Sequence, residues 1–138
     1  CDAVAAELRN AGVNVKRSIL PGATFWNDWL KYPFSATEWG PRPLGVQIMA
    51  LAYKTGVAWN ETAFANEEFD KLLEEALAIA NADKRREVMA KMQKIMQDEG
   101  VLIQPFWRSV YSHSSGKFAN VEVHPFYQLS LHDIHLNA

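Results

Sequence analysis

Apolar side chains recur along this chain at two different spacings, and the spacing separates helices from strands. From Asn66 onward, Phe69, Leu72, Leu73, Ala76, Leu77 and Ala80 return every three or four residues. That is the signature of one buried helix face. Asn66 is the predicted N-cap, with Glu67 and Glu68 in the first turn, where the helix dipole favours anions. A second amphipathic helix is predicted to start at an Asp83 cap. Its buried face is Val88, Met89, Met92, Ile95 and Met96, Glu87 and Lys91 pair across one turn, and Gly100 is its C′ residue. Three shorter helices precede these. One carries Val4, Ala5 and Leu8 and stops at Gly12. A second is capped by Thr24, carries Phe25, Trp26, Trp29 and Leu30, and closes at Pro33. The third is the apolar run Val46 to Tyr53, ended by Lys54-Thr55-Gly56.

Between the helices the period shortens to two. Val13, Val15 and Ile19 alternate with Asn14, Lys16 and Ser18, which predicts a half-buried strand ending at Pro21-Gly22. Phe34 to Trp39 reads as a second short strand. Gly40-Pro41-Arg42-Pro43 then imposes a loop, because prolines two apart suit neither a ladder nor a helix. Val101 to Trp107 has the continuous apolar character of a buried strand, extended by Ser109 to His113. A last strand-like piece surrounds Val121-Glu122-Val123 before the break at His124-Pro125. Helices interleaved with strands in this way predict an α/β architecture.

Composition narrows the function classes. With 138 residues and 49% hydrophobic content the chain is large enough for one modest core. A formal net charge of -2 gives no electrostatic footprint for nucleic acid or an anionic membrane. No apolar stretch reaches the roughly 18 residues that a membrane span needs. A single cysteine, Cys1, excludes an intrachain disulfide and any multi-cysteine metal site. Cys1 reads either as the lipid-bearing residue of a bacterial lipoprotein or as the place where the sequence happens to begin. The second is favoured, because a flexible tether rather than a helix ordinarily follows a lipidated cysteine.

Catalytic constellations are hard to assemble. His132 and His135, with Asp133 between them and His124 upstream, have the donor chemistry for zinc or nickel. The alternation of Leu129 and Leu131 around them suggests a strand, on which residues three apart face opposite sides. No metal site is therefore assigned. No nucleophile elbow or phosphate loop occurs, and the paired carboxylates Glu67/Glu68 and Glu74/Glu75 lie on predicted helix surfaces. The chain reads as a non-enzyme without a cofactor. Its five tryptophans are more informative. Trp29 and Trp107 suit a core. Trp39 and Trp59 stand at loop edges among polar residues, the material of a pocket with apolar walls and a few placed polar groups.

Several of these elements also form an ordered series. Trp59-Asn60 is followed by Asn66-x-x-Phe69-Asp70-x-Leu72-Leu73-x-x-Ala76. Then come Asp83-x-Arg85-Arg86-x-x-Met89 and a glycine-then-apolar run, Gly100-Val101-Leu102-Ile103-Gln104-Pro105. The series resembles the C-terminal part of family 5 extracellular solute-binding proteins, the receptors of peptide-, opine- and nickel-type ABC importers. The segment Ala5 to Leu20 is similar to a helix-strand element of the same family.

The resemblance implies a fold, a function and a site. The fold would be α/β, part of the second lobe of a two-lobe, type II-like periplasmic-binding-protein fold. Residues 1–100 would supply the lobe II portion, and residues 101–138 the hinge-crossing strands and a segment returning towards lobe I. The function implied is capture of a small solute (peptide, opine or sugar-like) in an interlobe cleft and delivery to the ABC permease membrane subunits. The location implied is periplasmic or extracytoplasmic. The ligand-facing element of the lobe corresponds to Phe34–Pro43, which makes Glu38, Trp39 and Arg42 the implied ligand contacts, with Trp59 at the rim. Trp39 falls where peptide-binding members carry an acidic residue. A C-terminal fragment of such a protein would leave strand edges unpaired, so a non-native dimer or domain swap is a further expectation. The alternative from another class is a free-standing helical protein-interaction module using the Phe69–Ala80 and Val88–Met96 faces as a groove.

Overall fold

The computed structural model describes residues 1–137. Its elements in chain order are α1 (Asp2–Asn10), α2 (Gly22–Asp28) continued by a 3-10 turn (Trp29–Lys31), α3 (Gly45–Ala52), α4 (Glu67–Ala78), α5 (Ala82–Asp98), and the short strands β1 (Phe118–Ala119) and β2 (His135–Leu136). Helices α3, α4 and α5 pack in sequence, with α4 in the middle. Their shared core is Val46, Met49, Ala52, Tyr53, Phe64, Phe69, Leu73, Ala76, Val88 and Met92. Phe69, Leu73 and Met92 are its largest completely buried side chains. Residues Leu72, Met89, Ile95 and Met96 pack against this core from partly buried positions, whereas Leu77 is half exposed at the edge.

The ends of the helices follow from local chemistry. Asn66 accepts the Phe69 N–H at 2.9 Å, as predicted for a cap of α4, and its amide also donates to Glu99 at the far end of α5. One side chain therefore caps one helix and holds the end of the next. Helix α5 is capped by Asn81 and not by Asp83. The Asn81 Oδ1 accepts both the Asp83 and Lys84 N–H groups at 3.0 Å, so Asp83 falls inside the first turn. There Asp83 pairs with Arg86, and Lys94 pairs with Asp98. These are the ion pairs of α5 among the described residues, in place of the expected Glu87–Lys91 pair. Gly100, at φ 62°, closes α5. Its N–H donates to the Gln97 carbonyl and that of Val101 to the Met96 carbonyl, the two hydrogen bonds of a Schellman motif. Gly12 ends α1 in the same way, at φ 87°. Helix α2 starts two residues before the predicted Thr24 cap, with Pro21 at its N-cap and no side-chain cap bond.

The predicted strands form no ladder. Residues 13–20, 34–39, 101–113 and 121–123 carry neither helix nor sheet pairing, and β1 with β2 is the sheet among the described residues. That pair is antiparallel, Phe118 opposite Leu136 and Ala119 opposite His135. A strand cannot hold its shape without a neighbour to take its N–H and C=O groups. These segments have none, and their apolar side chains stay open: Ile19, Ile103, Phe106, Trp107 and Tyr111 are all more than half exposed. Trp107, expected in a core, is 88% exposed. The groove of a helical interaction module is likewise not available. The α4 and α5 faces that would line it are buried against each other.

Candidate functional site

The site begins with a loop, Ala58 to Ala65, that leads from α3 into α4. Asn60 holds it together. Its amide donates to the Phe64 carbonyl at 2.8 Å and to the Lys54 carbonyl at 3.3 Å, while its Oδ1 accepts from the Thr62 N–H and hydroxyl. A short side chain that bonds the backbone on both sides of a turn sets the path of the turn. Ala63 takes the left-handed conformation that this path requires, at φ 54°. The consequence is that Glu61, between Asn60 and Thr62, points at the segment before α3.

There it meets two donors. Glu61 Oε1 accepts the Thr37 hydroxyl at 2.7 Å and the Trp39 indole N–H at 2.8 Å. All three side chains are half-buried. Tyr53, in the core beneath, has its phenol pKa raised above the ordinary value, first by burial and then by the negative charge of Glu61. The carboxylate is thus the polar centre of an otherwise aromatic surface.

That surface is a row of tryptophans. Ring centres are 5.8 Å apart for Trp26–Trp29, 6.2 Å for Trp29–Trp39 and 6.0 Å for Trp39–Trp59, with tilted or edge-on geometry at each step. Edge-to-face contact at these distances is favourable because the positive rim of one ring meets the negative face of the next. Trp26 and Trp59 remain about half exposed at either end. Phe25 adds an edge contact to Trp26 and a stacked one to Tyr32.

Of the residues expected at the site, the structure brings Trp39 and Trp59 together. Glu38 turns the other way, to an ion pair with Arg108, whose Nη1 donates to the Glu38 Oε2 at 2.8 Å. Both partners are more than half exposed, so water and salt screen the pair. Arg42 folds onto its own loop and donates to the Gly40 and Pro41 carbonyls at 3.2 Å and 3.1 Å. Glu61 and Thr37 were missed. The signal that points to them is Asn60-Glu61-Thr62 directly after Trp59, where an Asn and a Thr flanking an acid predict a turn that presents it.

Two open depressions lie elsewhere. One, of about 370 Å³, is lined by Thr62 to Ala65 and Glu99 to Val101; the other, of about 290 Å³, lies between Pro43-Leu44-Gly45 and the Arg85–Gln93 part of α5. Neither contains a tryptophan. The histidines are spread out: His124 accepts the Phe126 N–H, His132 lies beside Asp133, and His135 is in β2. Among the described residues no three His, Cys, Asp or Glu side chains come together as a metal site.

No family model matches the chain. It is similar to the dipeptide-binding protein DppE of Bacillus subtilis (strain 168), at 25% identity over 127 residues. The matched region is 90% of this chain and 23% of that protein, so the chain spans about a quarter of the length of the curated relative it matches. Trp39, Trp59 and Glu61 all stand on one loop-rich edge of the helical core. An edge of that kind, with rigid aromatic walls and a fixed carboxylate, can bind a small polar solute by stacking and charge-assisted hydrogen bonds.

Proposed function

We propose that this chain is part of the second lobe of an ABC-importer solute-binding protein, with an α/β fold of the two-lobe, type II-like class. Residues 1–100 would form the lobe portion and residues 101–138 the hinge-crossing strands and a segment returning towards the first lobe. The observation that carries the proposal is the pairing of Trp39 and Trp59 at 6.0 Å beside a carboxylate fixed by hydrogen bonds. Similarity to a dipeptide-binding protein over 90% of the chain supports the same reading, and that relative is named for binding and not for catalysis. No helix among the described residues is long and apolar enough to cross a membrane. The protein would act outside the cytoplasm and hand its solute to the permease subunits.

The unpaired segments fit this picture. Residues 101–113 are an apolar run without a ladder, and in a complete lobe neighbouring strands would cover it. Ligand would enter between the lobes and bind best when they are closed, which shifts the population towards the form the permease recognises. Trp39 and Trp59 would stack on the solute. Glu38 would exchange its exposed Arg108 partner for a cationic ligand group, and Arg42 would offer its guanidinium to an anionic one. A peptide carries both ends; opine- and sugar-like solutes are served by the same stacking surface.

Native mass spectrometry of the protein encoded by the full reading frame, purified without refolding, tests the proposal. A bound small solute is expected. Trp39→Ala should then weaken its binding by about tenfold, since a buried stacking contact contributes roughly 1 kcal/mol or more. An affinity within about twofold of wild type would remove Trp39 from the pocket.

A further inference from the structure

We infer that Glu61 is a positioning residue that sets the plane of the Trp39 ring through the indole N–H. This rests on the reading of Trp39 as a ligand-stacking surface and adds a residue that acts through it without touching the solute.

An indole has one N–H and no acceptor, and its ring turns about two side-chain torsions. An edge contact with Trp29 and a tilted one with Trp59 restrain the ring, but contacts of this kind do not by themselves fix a ring against rocking motion. A hydrogen bond at Nε1 removes it. Glu61 supplies that bond at 2.8 Å from more than twenty residues along the chain, and to a charged acceptor, which gives the stronger kind of hydrogen bond. The same oxygen takes the Thr37 hydroxyl at 2.7 Å, so both ends of the Thr37–Trp39 segment are tied to a single atom. The carboxylate is itself located by Asn60, through the bonds that fix the turn from Lys54 to Phe64. Rigidity thus passes from the helical core through Asn60 and Glu61 to a ring that otherwise belongs to an irregular segment. A stacking platform needs this support, because a ring free to rock loses part of its affinity to ordering on binding.

The test is nuclear magnetic resonance of the ¹⁵N-labelled protein from the full reading frame, with the Trp39 indole resonance assigned by its loss in Trp39→Phe. In the wild type this proton should resonate downfield of the indole of free N-acetyltryptophanamide and exchange with water about tenfold more slowly, as a carboxylate-bound N–H does. Glu61→Ala should move both properties towards those of N-acetyltryptophanamide, and Glu61→Gln, which keeps an acceptor oxygen, should restore most of the protection. A wild-type Trp39 proton indistinguishable from that of N-acetyltryptophanamide overturns the inference without any mutant, as does a protected proton that Glu61→Ala leaves unchanged. Titration with the dipeptide alanyl-phenylalanine separates the two readings. Glu61→Ala should raise its Kd about fivefold while Glu61→Gln stays within about twofold of wild type. A wild type with the expected indole signature that binds neither this dipeptide nor any co-purified solute leaves the positioning role standing and removes the stacking site.

Discussion

The side-chain amide of Asn60 donates to the backbone carbonyl of Phe64 at 2.8 Å, and through that bond the loop before α4 is fastened to the core. Phe64 is buried and meets Phe69 edge-on, with ring centres 5.1 Å apart. Asn60→Ala removes the donor and leaves the carbonyl of the buried Phe64 short of a partner, while the Lys54 carbonyl keeps the Val57 N–H at 3.3 Å. A cost of about 1–3 kcal/mol is expected from chemical denaturation. Because Glu61 loses its foundation, the same variant should also change the near-ultraviolet circular dichroism of the tryptophan row, whereas a remote surface variant such as Lys84→Ala should not.

Phe69 sits where α4 meets both of its neighbours, and its side chain is wholly buried. Phe69→Ala leaves a cavity that the surrounding helices cannot fully close, so a loss of about 3–5 kcal/mol follows. Leu77→Ala, on the same helix but half exposed, should cost less than about 1 kcal/mol. Equal denaturation midpoints for the two variants would contradict the packing of α4 between α3 and α5.

Gly100 closes α5 at a positive φ that a side chain tolerates poorly, although nothing lies within 4 Å of where a Cβ would sit. The cost of Gly100→Ala is therefore conformational and not steric, about 1 kcal/mol. Asn66→Ala should cost a similar amount through loss of the α4 cap, and somewhat more because Asn66 also holds Glu99. Thermal melts of both single variants and the double variant check this. The two sites meet at the α5 terminus, so their effects should not simply add.

The helices were legible in the sequence because their causes are local. Asn66 caps, Gly12 and Gly100 stop, and the apolar stripes of α4 and α5 need only the periodicity of one helix to be recognised. The Asp83 cap was misplaced because Asn81, two residues earlier, offers the same chemistry with a backbone already extended (φ -70°, ψ 123°). Strands are different. The alternation at Val13, Val15 and Ile19, or the apolar run from Val101, states what such a segment does when it has neighbours, and the neighbours are not encoded in the segment. At the site, Trp39 and Trp59 stood out by residue type and position. Glu61 did not, since its role appears only when a turn brings it to an indole and a hydroxyl more than twenty residues away.

Tyr53 gives a prediction in pH. Its phenol pKa in the folded chain is raised above 10.0, first by burial and then by the nearby charge of Glu61. In the unfolded chain it titrates near the ordinary value. Below that value both states keep the proton and the folded state loses nothing. Above it the unfolded chain gives up the proton while the folded chain holds it, so the folded state binds more protons and stability falls as pH rises. The loss begins near pH 10 and continues until the folded-state pKa is passed. Tyr53→Phe removes this titration and, with no hydroxyl hydrogen bond to lose among the described residues, should change stability at pH 7 by less than about 1 kcal/mol. Melting temperatures of the two proteins should therefore lie close together between pH 7 and pH 9 and separate above pH 10, with the wild type falling faster. Parallel curves through that range would show that Tyr53 is not held in a buried, negatively charged setting.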